Sequence, residues 1–215
     1  MKKKKIKVFK SVNNICLNTV DFSNKYNFLL VTGLSGSGKS TYAKKLAQQH
    51  NATIITLDGF SQIYKNDSIN ECTKKLINDF IKINPILEEE LKGDFWHRQK
   101  LNNFERYKYW NILFFEFLIE NIISSDQLFI IEGTQIFMTI DTKMIKKYPI
   151  IVVGTSDVKS FFRRINRQLT KNDFKKPFSK GFKHLAKLVN DSKRLHFKDY
   201  KKLNKFLSEL QQYKS

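Results

Sequence analysis

The chain has 215 residues, of which 41% are hydrophobic, enough for one α/β domain with a proper core and too many for a disordered chain. Its formal charge is +19, a balance that attracts phosphate-rich partners. The excess is mostly Lys, spread along the whole length among many Asn and Ile, so nucleic acid is an open partner but not a favoured one.

The N-terminus, MKKKKIKVFK, is basic without a long apolar run behind it, so no signal peptide is predicted. Lys7–Val20 reads as a small hairpin or an extra edge strand. Cys16 and Cys72 lie far apart and form no CxxC or Cys/His cluster, which argues against a zinc site or a disulfide framework and for a reducing, cytoplasmic setting. The first convincing strand is Tyr26–Thr32, followed by a glycine loop and a helix from Lys39 to about Gln49. A second strand is predicted at Thr53–Leu57. A long helical stretch then runs from about Ser68 to Ile123, broken near Pro85 and Gly93. Its most apolar part, LFFEFLIENII, is interrupted by Glu116 and Glu120 and is too short to span a membrane. Strands follow at Leu128–Ile131 and Pro149–Val153. Helices at about Asp157–Leu169, Phe182–Leu195 and Lys198–Gln212 complete the chain. Alternating strands and helices of this kind predict βαβ units on a parallel sheet.

Six of the eight glycines mark one edge of that sheet. Gly33, Gly36 and Gly38 share the loop after the first strand, and Gly59, Gly133 and Gly154 each follow another strand. Ligands of open α/β sheets bind outside the carboxyl ends of the strands.

The segment Gly33-Leu34-Ser35-Gly36-Ser37-Gly38-Lys39-Ser40, followed by Thr41, matches G-x-x-x-x-G-K-[ST] in full, between a strand and a helix. Backbone N–H groups in such a turn form an anion-binding concavity, and the helix N-terminus adds free N–H groups and its dipole. Residues 33, 35–38, 40 and 41 are thus expected to cradle the phosphates of ATP or another NTP. Lys39 supplies charge to the β- and γ-phosphates, and Ser40 offers a hydroxyl to Mg²⁺.

The other strand ends carry polar groups that suit phosphoryl transfer. Asp58 follows the second strand, where a carboxylate can orient an acceptor hydroxyl and take its proton; a turn Asp before Gly59 is the plainer reading. Glu132 ends the third strand in a Walker B arrangement, reaching Mg²⁺ through water or the acceptor; the alternative is a capping or solvent-facing Glu. Arg163, Arg164 and Arg167 lie on the helix after the fourth strand, where they can close over a transferring phosphate or form only a basic solvated face.

Together these motifs resemble the uridine kinase/phosphoribulokinase group of P-loop kinases, which also includes pantothenate kinase. GLSGSGKST is close to that group's loop, Asp58-Gly59-Phe60 to its strand-two motif, FIIEGT to its strand-three motif, and the three arginines to its lid run. The resemblance implies a three-layer α/β/α sandwich with a mostly parallel sheet. It also implies Asp58 as catalytic base, Lys39 and Ser40 on ATP-Mg²⁺, Glu132 near the metal and acceptor, and the arginines as lid. On that reading 1–215 is a single domain. Residues 1–25 form a basic extension, 61–125 a helical acceptor-side insert, and 156–180 the lid region.

The resemblance covers Tyr26–Asp58 and Leu128–Gln168 and not the middle. The acidic, His- and Pro-containing acceptor segment of uridine kinases is missing. In its place stand Pro85, the cluster Asp94-Phe95-Trp96-His97-Arg98, and an aromatic helix around Tyr107–Phe117. Those aromatics either stack an acceptor or pack the insert on the sheet. The expected function is transfer of a γ-phosphate to a hydroxyl of a small molecule, nucleoside-like by preference. A zeta-toxin-like or polynucleotide kinase, and a P-loop ATPase or regulatory NTP-binding protein, are the alternatives.

Overall fold

The computed structural model describes residues 7–9, 26–58, 69–92, 104–154, 162–163 and 178–212. Five strands form one sheet: β1 (Lys7–Phe9), β2 (Phe28–Thr32), β3 (Thr53–Thr56), β4 (Phe129–Glu132) and β5 (Ile150–Val153). Their order is β1-β5-β2-β4-β3, and every pairing is parallel. Strand β2, which runs into the glycine loop, is therefore central. Register sets Glu132 level with Val31 of β2 on one side and with Thr56 of β3 on the other.

The strands are continuous apolar runs because both faces of the sheet are covered. Alternation within β2 divides the core. Leu29 and Val31 join Ile130, Ile151 and Val153 under α1 (Lys39–His50), packing on Tyr42, Ala43 and Leu46. Phe28 and Leu30 face the other way, with Ile55, Phe129, Ile131, Ile150 and Val152. That second side is covered by α2 (Glu71–Lys82), α3 (Pro85–Lys92), α4 (Phe104–Ile122), α5 (Gln135–Met138), α6 (Thr142–Ile145) and α7 (Phe178–Gln212). The architecture is the α/β P-loop NTPase fold expected from the sequence. Among the described residues no helix is long and apolar enough to cross a membrane.

The predicted break near Pro85 is a real helix end, while Gly93 lies outside the described residues. Asn84 N–H bonds the Ile81 carbonyl as α2 closes, and Pro85 opens α3, where its missing N–H costs nothing. The N-terminal edge strand is present as β1, beside β5; the rest of Lys7–Val20 lies outside the described residues, as does most of Asp157–Leu169.

One expectation fails. The two helices predicted at Phe182–Leu195 and Lys198–Gln212 are a single 35-residue helix, α7, beginning at Phe178 just after Pro177. No Gly or Pro separates Leu195 from Lys198. His196, Asp199, Leu203, Phe206 and Leu210 keep one buried face through the supposed gap, so no force ends the helix there.

The aromatic helix α4 is core. Phe114 and Phe115 are fully buried, and Phe114 packs on Phe80 of α2 at 5.3 Å between ring centroids. Trp110 is buried too, its indole N–H donating to Glu90 Oε2 of α3 at 2.8 Å while Arg106 pairs with Oε1 of the same carboxylate. This holds the insert together and leaves Trp110 no free face for stacking a ligand. Phe114→Ala is expected to destabilise the protein by about 3–5 kcal/mol in urea unfolding, the usual cost of a large aromatic cavity. A loss below about 1 kcal/mol would mean that the helix is not anchored through this ring.

Candidate nucleotide site

The loop between β2 and α1 takes its shape from three glycines at positive φ. Gly33, Gly36 and Gly38 lie at φ 153°, 86° and 92°. At Gly33 a β-carbon would stand 2.4 Å from the Val153 carbonyl oxygen and 2.8 Å from Ser37 Oγ, so the end of β5 presses directly on the loop. The turn closes through Ser37 N–H on the Leu34 carbonyl. Gly38 caps α1 in the left-handed conformation and contributes no side-chain hydrogen bond, so no side chain of the cap occupies the helix's first N–H groups. Ser37 is fully buried, and its Oγ has no hydrogen-bond partner among the described residues. A buried hydroxyl without a partner, beside uncapped N–H groups, is chemistry suited to phosphate oxygens.

Three strand ends converge on this loop. Lys39, only 7% exposed, points its ammonium at Asp58 Oδ2, 3.7 Å away. Ser40 Oγ donates to Glu132 Oε2 at 3.1 Å. Asp58 Oδ1 accepts from the backbone N–H of Gln135 at 3.1 Å. Gly133 lets β3 and β4 approach this closely: a β-carbon there would lie 3.0 Å from Asp58 Oδ1 and 3.1 Å from the Leu57 β-carbon. Thr32, at the end of β2, donates its hydroxyl to the Gly133 carbonyl and ties that turn to the central strand.

Glu132 is buried at the centre of the group. Burial holds its carboxyl above the usual carboxylate range; the Lys39 ammonium pulls the other way, the Asp58 charge adds to the rise, and hydrogen bonds from Ser40 and Thr56 oppose it. The pairing of Ser40 with Glu132 joins a hydroxyl and a carboxylate of the kind that hold Mg²⁺ beside nucleotide phosphates, directly or through water.

Of the predicted site residues, the structure brings together Lys39, Ser40, Asp58 and Glu132, with Gly33, Gly36, Ser37 and Gly38 forming the loop. Ser35 is half-buried on the same turn, and Thr41 is exposed on α1. Arg163 reaches back to the loop, its Nη1 donating to the Gly36 carbonyl at 3.4 Å. Arg164 and Arg167 lie outside the described residues, as do Gly59, Phe60 and the Asp94–Arg98 cluster. Sequence reasoning missed the supporting roles of Thr32 and of the Gln135 N–H. The glycine after Glu132 hinted at a close approach there, but not at what approached.

This is the nucleotide-binding arrangement of a P-loop NTPase. A family model described as AAA domain matches residues 28–92, from β2 through α3, so over less than a third of its length the chain is similar to that family. No curated protein matches it.

The raised carboxyl of Glu132 has a measurable consequence. The folded protein holds that proton more tightly than the unfolded chain, so Glu132 costs stability as pH rises through the interval between the unfolded and folded values. Glu132→Gln has no charge to bury. Without nucleotide, its melting temperature relative to wild type should therefore climb as pH rises above the ordinary carboxylate range, about pH 4. A relative melting temperature that stays flat or falls over that rise would contradict charge burial at this position.

Proposed function

We propose that the chain is an ATP-dependent phosphotransferase that moves the γ-phosphate to a hydroxyl of a small molecule, with a nucleoside-like alcohol the first class to screen. The observation carrying this reading is the position of Asp58. Its Oδ1 is held by the Gln135 N–H, and its Oδ2 lies 3.7 Å from the lysine that the loop directs at the phosphates. A carboxylate fixed there is placed to receive the proton of an acceptor hydroxyl that enters beside the phosphates.

The loop N–H groups and α1 bind the triphosphate, and Lys39 neutralises charge on its β- and γ-oxygens. Ser40 and Glu132, already hydrogen-bonded to each other, would hold magnesium, the latter directly or through water, and the ion would supply positive charge against the phosphates. Asp58 takes the acceptor's proton as the new P–O bond forms and the bond to the β-phosphate oxygen breaks, leaving ADP. Arg163, which already touches the loop, adds positive charge over the phosphates, the role that the sequence reading also gives Arg164 and Arg167. The similarity to the AAA domain family over 28–92 agrees with NTP use and is silent on the acceptor.

The test is transfer of labelled γ-phosphate to a pool of small alcohols, with ADP release followed alongside. Asp58→Asn should keep ATP affinity within a few-fold and lower transfer about 10²–10⁴-fold. Lys39→Ala should lose both binding and turnover. Full activity in Asp58→Asn would remove the proposed base. Rapid ATP hydrolysis without any acceptor would replace the phosphotransferase reading with an ATPase.

A further inference from the structure

The continuity of α7 changes what its lysines do. Arg194, Lys198, Lys201 and Lys205 are all exposed and are spaced four, three and four residues apart. On one uninterrupted helix that spacing confines them to an arc of about 60° and a length of about 16 Å. Two helices broken near residue 196 would have pointed these residues in unrelated directions.

The opposite face is spent on the core. Leu203, Phe206 and Leu210 are buried, as are His196 and Asp199, so the row is carried on an anchored helix. Acidic residues barely offset it. Asp199 faces the protein interior, while Glu209 accepts from Thr142 and stands 3.8 Å from Lys205, whose side chain stays 80% exposed. Asp191 is the third carboxylate of the helix. Phe197 is 56% exposed beside Lys198, an aromatic surface among the cations.

We infer that the exposed face of α7 is a binding surface for the sugar–phosphate backbone of a nucleic acid strand. Successive cations about 4.5–6 Å apart along the axis can engage successive phosphates of one strand and release their counterions. Phe197 offers a face on which a base can stack. An anionic membrane fits less well, since the apolar face that would enter lipid is already buried in the core. The surface goes beyond the phosphotransfer reading and does not depend on it: its residues all belong to α7 and none is part of the loop or one of the strand-end carboxylates.

The probe is a labelled 20-nucleotide single-stranded DNA, with binding followed by fluorescence anisotropy at several salt concentrations and without ATP. The variant Arg194→Gln/Lys198→Gln/Lys201→Gln/Lys205→Gln should weaken binding at least tenfold. It should also flatten the log–log salt slope by about 3, given roughly 0.7 per phosphate contact on single strands. A charge-matched variant elsewhere, Lys44→Gln/Lys45→Gln/Lys75→Gln/Lys146→Gln, should lose far less. Lys198→Arg/Lys201→Arg/Lys205→Arg should bind as wild type does, which separates lost charge from a damaged helix. Equal losses in the two quadruple variants would reduce the effect to net charge and overturn the inference. So would absence of binding by wild type, or tighter stripe-dependent binding to phosphatidylserine vesicles than to the oligonucleotide.

Discussion

A nearly buried lysine ammonium beside the Asp58 carboxylate organises this protein. Lys39 stands 3.7 Å from Asp58 and lowers the cost of burying Glu132, which burial otherwise pushes toward its neutral form. A cation so nearly enclosed is tolerable only where acidic groups meet it, and acidic groups so close together need the cation in turn. Three strand ends therefore have to converge on one point. The parallel order of the sheet brings them there: β2 supplies the loop, β3 delivers Asp58, and β4 delivers Glu132 from the strand between them.

Small residues make that convergence physically possible. Gly33 admits the Val153 carbonyl, and Gly133 admits Asp58, each at a distance where a side chain would collide. Thr32 and the Gln135 N–H then fix the turn after β4, so the position of Asp58 is set by backbone rather than by a mobile side chain. This is the rigidity that the proposed proton transfer would need, since a misplaced base would lose its hydrogen bond to the acceptor. The buried hydroxyl of Ser37 has the opposite character: it has no hydrogen-bond partner among the described residues, and an anion in the loop would offset its desolvation.

The insert and the C-terminal helix answer a different demand. The broad face of the sheet leaves Phe28, Leu30, Ile55 and Ile131 to be covered, and α2, α4 and α7 cover them with aromatic and branched side chains. Much of the aromatic load of the chain is consumed in this way, as the burial of Phe80, Trp110, Phe114, Phe115 and Phe206 shows. The lysine excess is not uniformly passive either. On α7 it falls into a row because the helix does not break.

The sequence by itself determined the P-loop, the parallel sheet and its strand positions, because each is written locally: glycines where φ must be positive, a Gly-Lys-Ser run at the end of the loop, and apolar runs of strand length. It also marked Asp58 and Glu132 as carboxylates at strand ends. It did not reveal that Lys39 would face the first and Ser40 the second, since those contacts join residues 19 and 92 positions apart and depend on strand order. The role of the aromatic helix and the unity of α7 were equally hidden. A Phe-rich segment reads alike whether it packs a sheet or stacks a ligand, and helix ends without Gly or Pro are decided by the surface they cover. Only the folded chain, by setting which faces are buried, decided both.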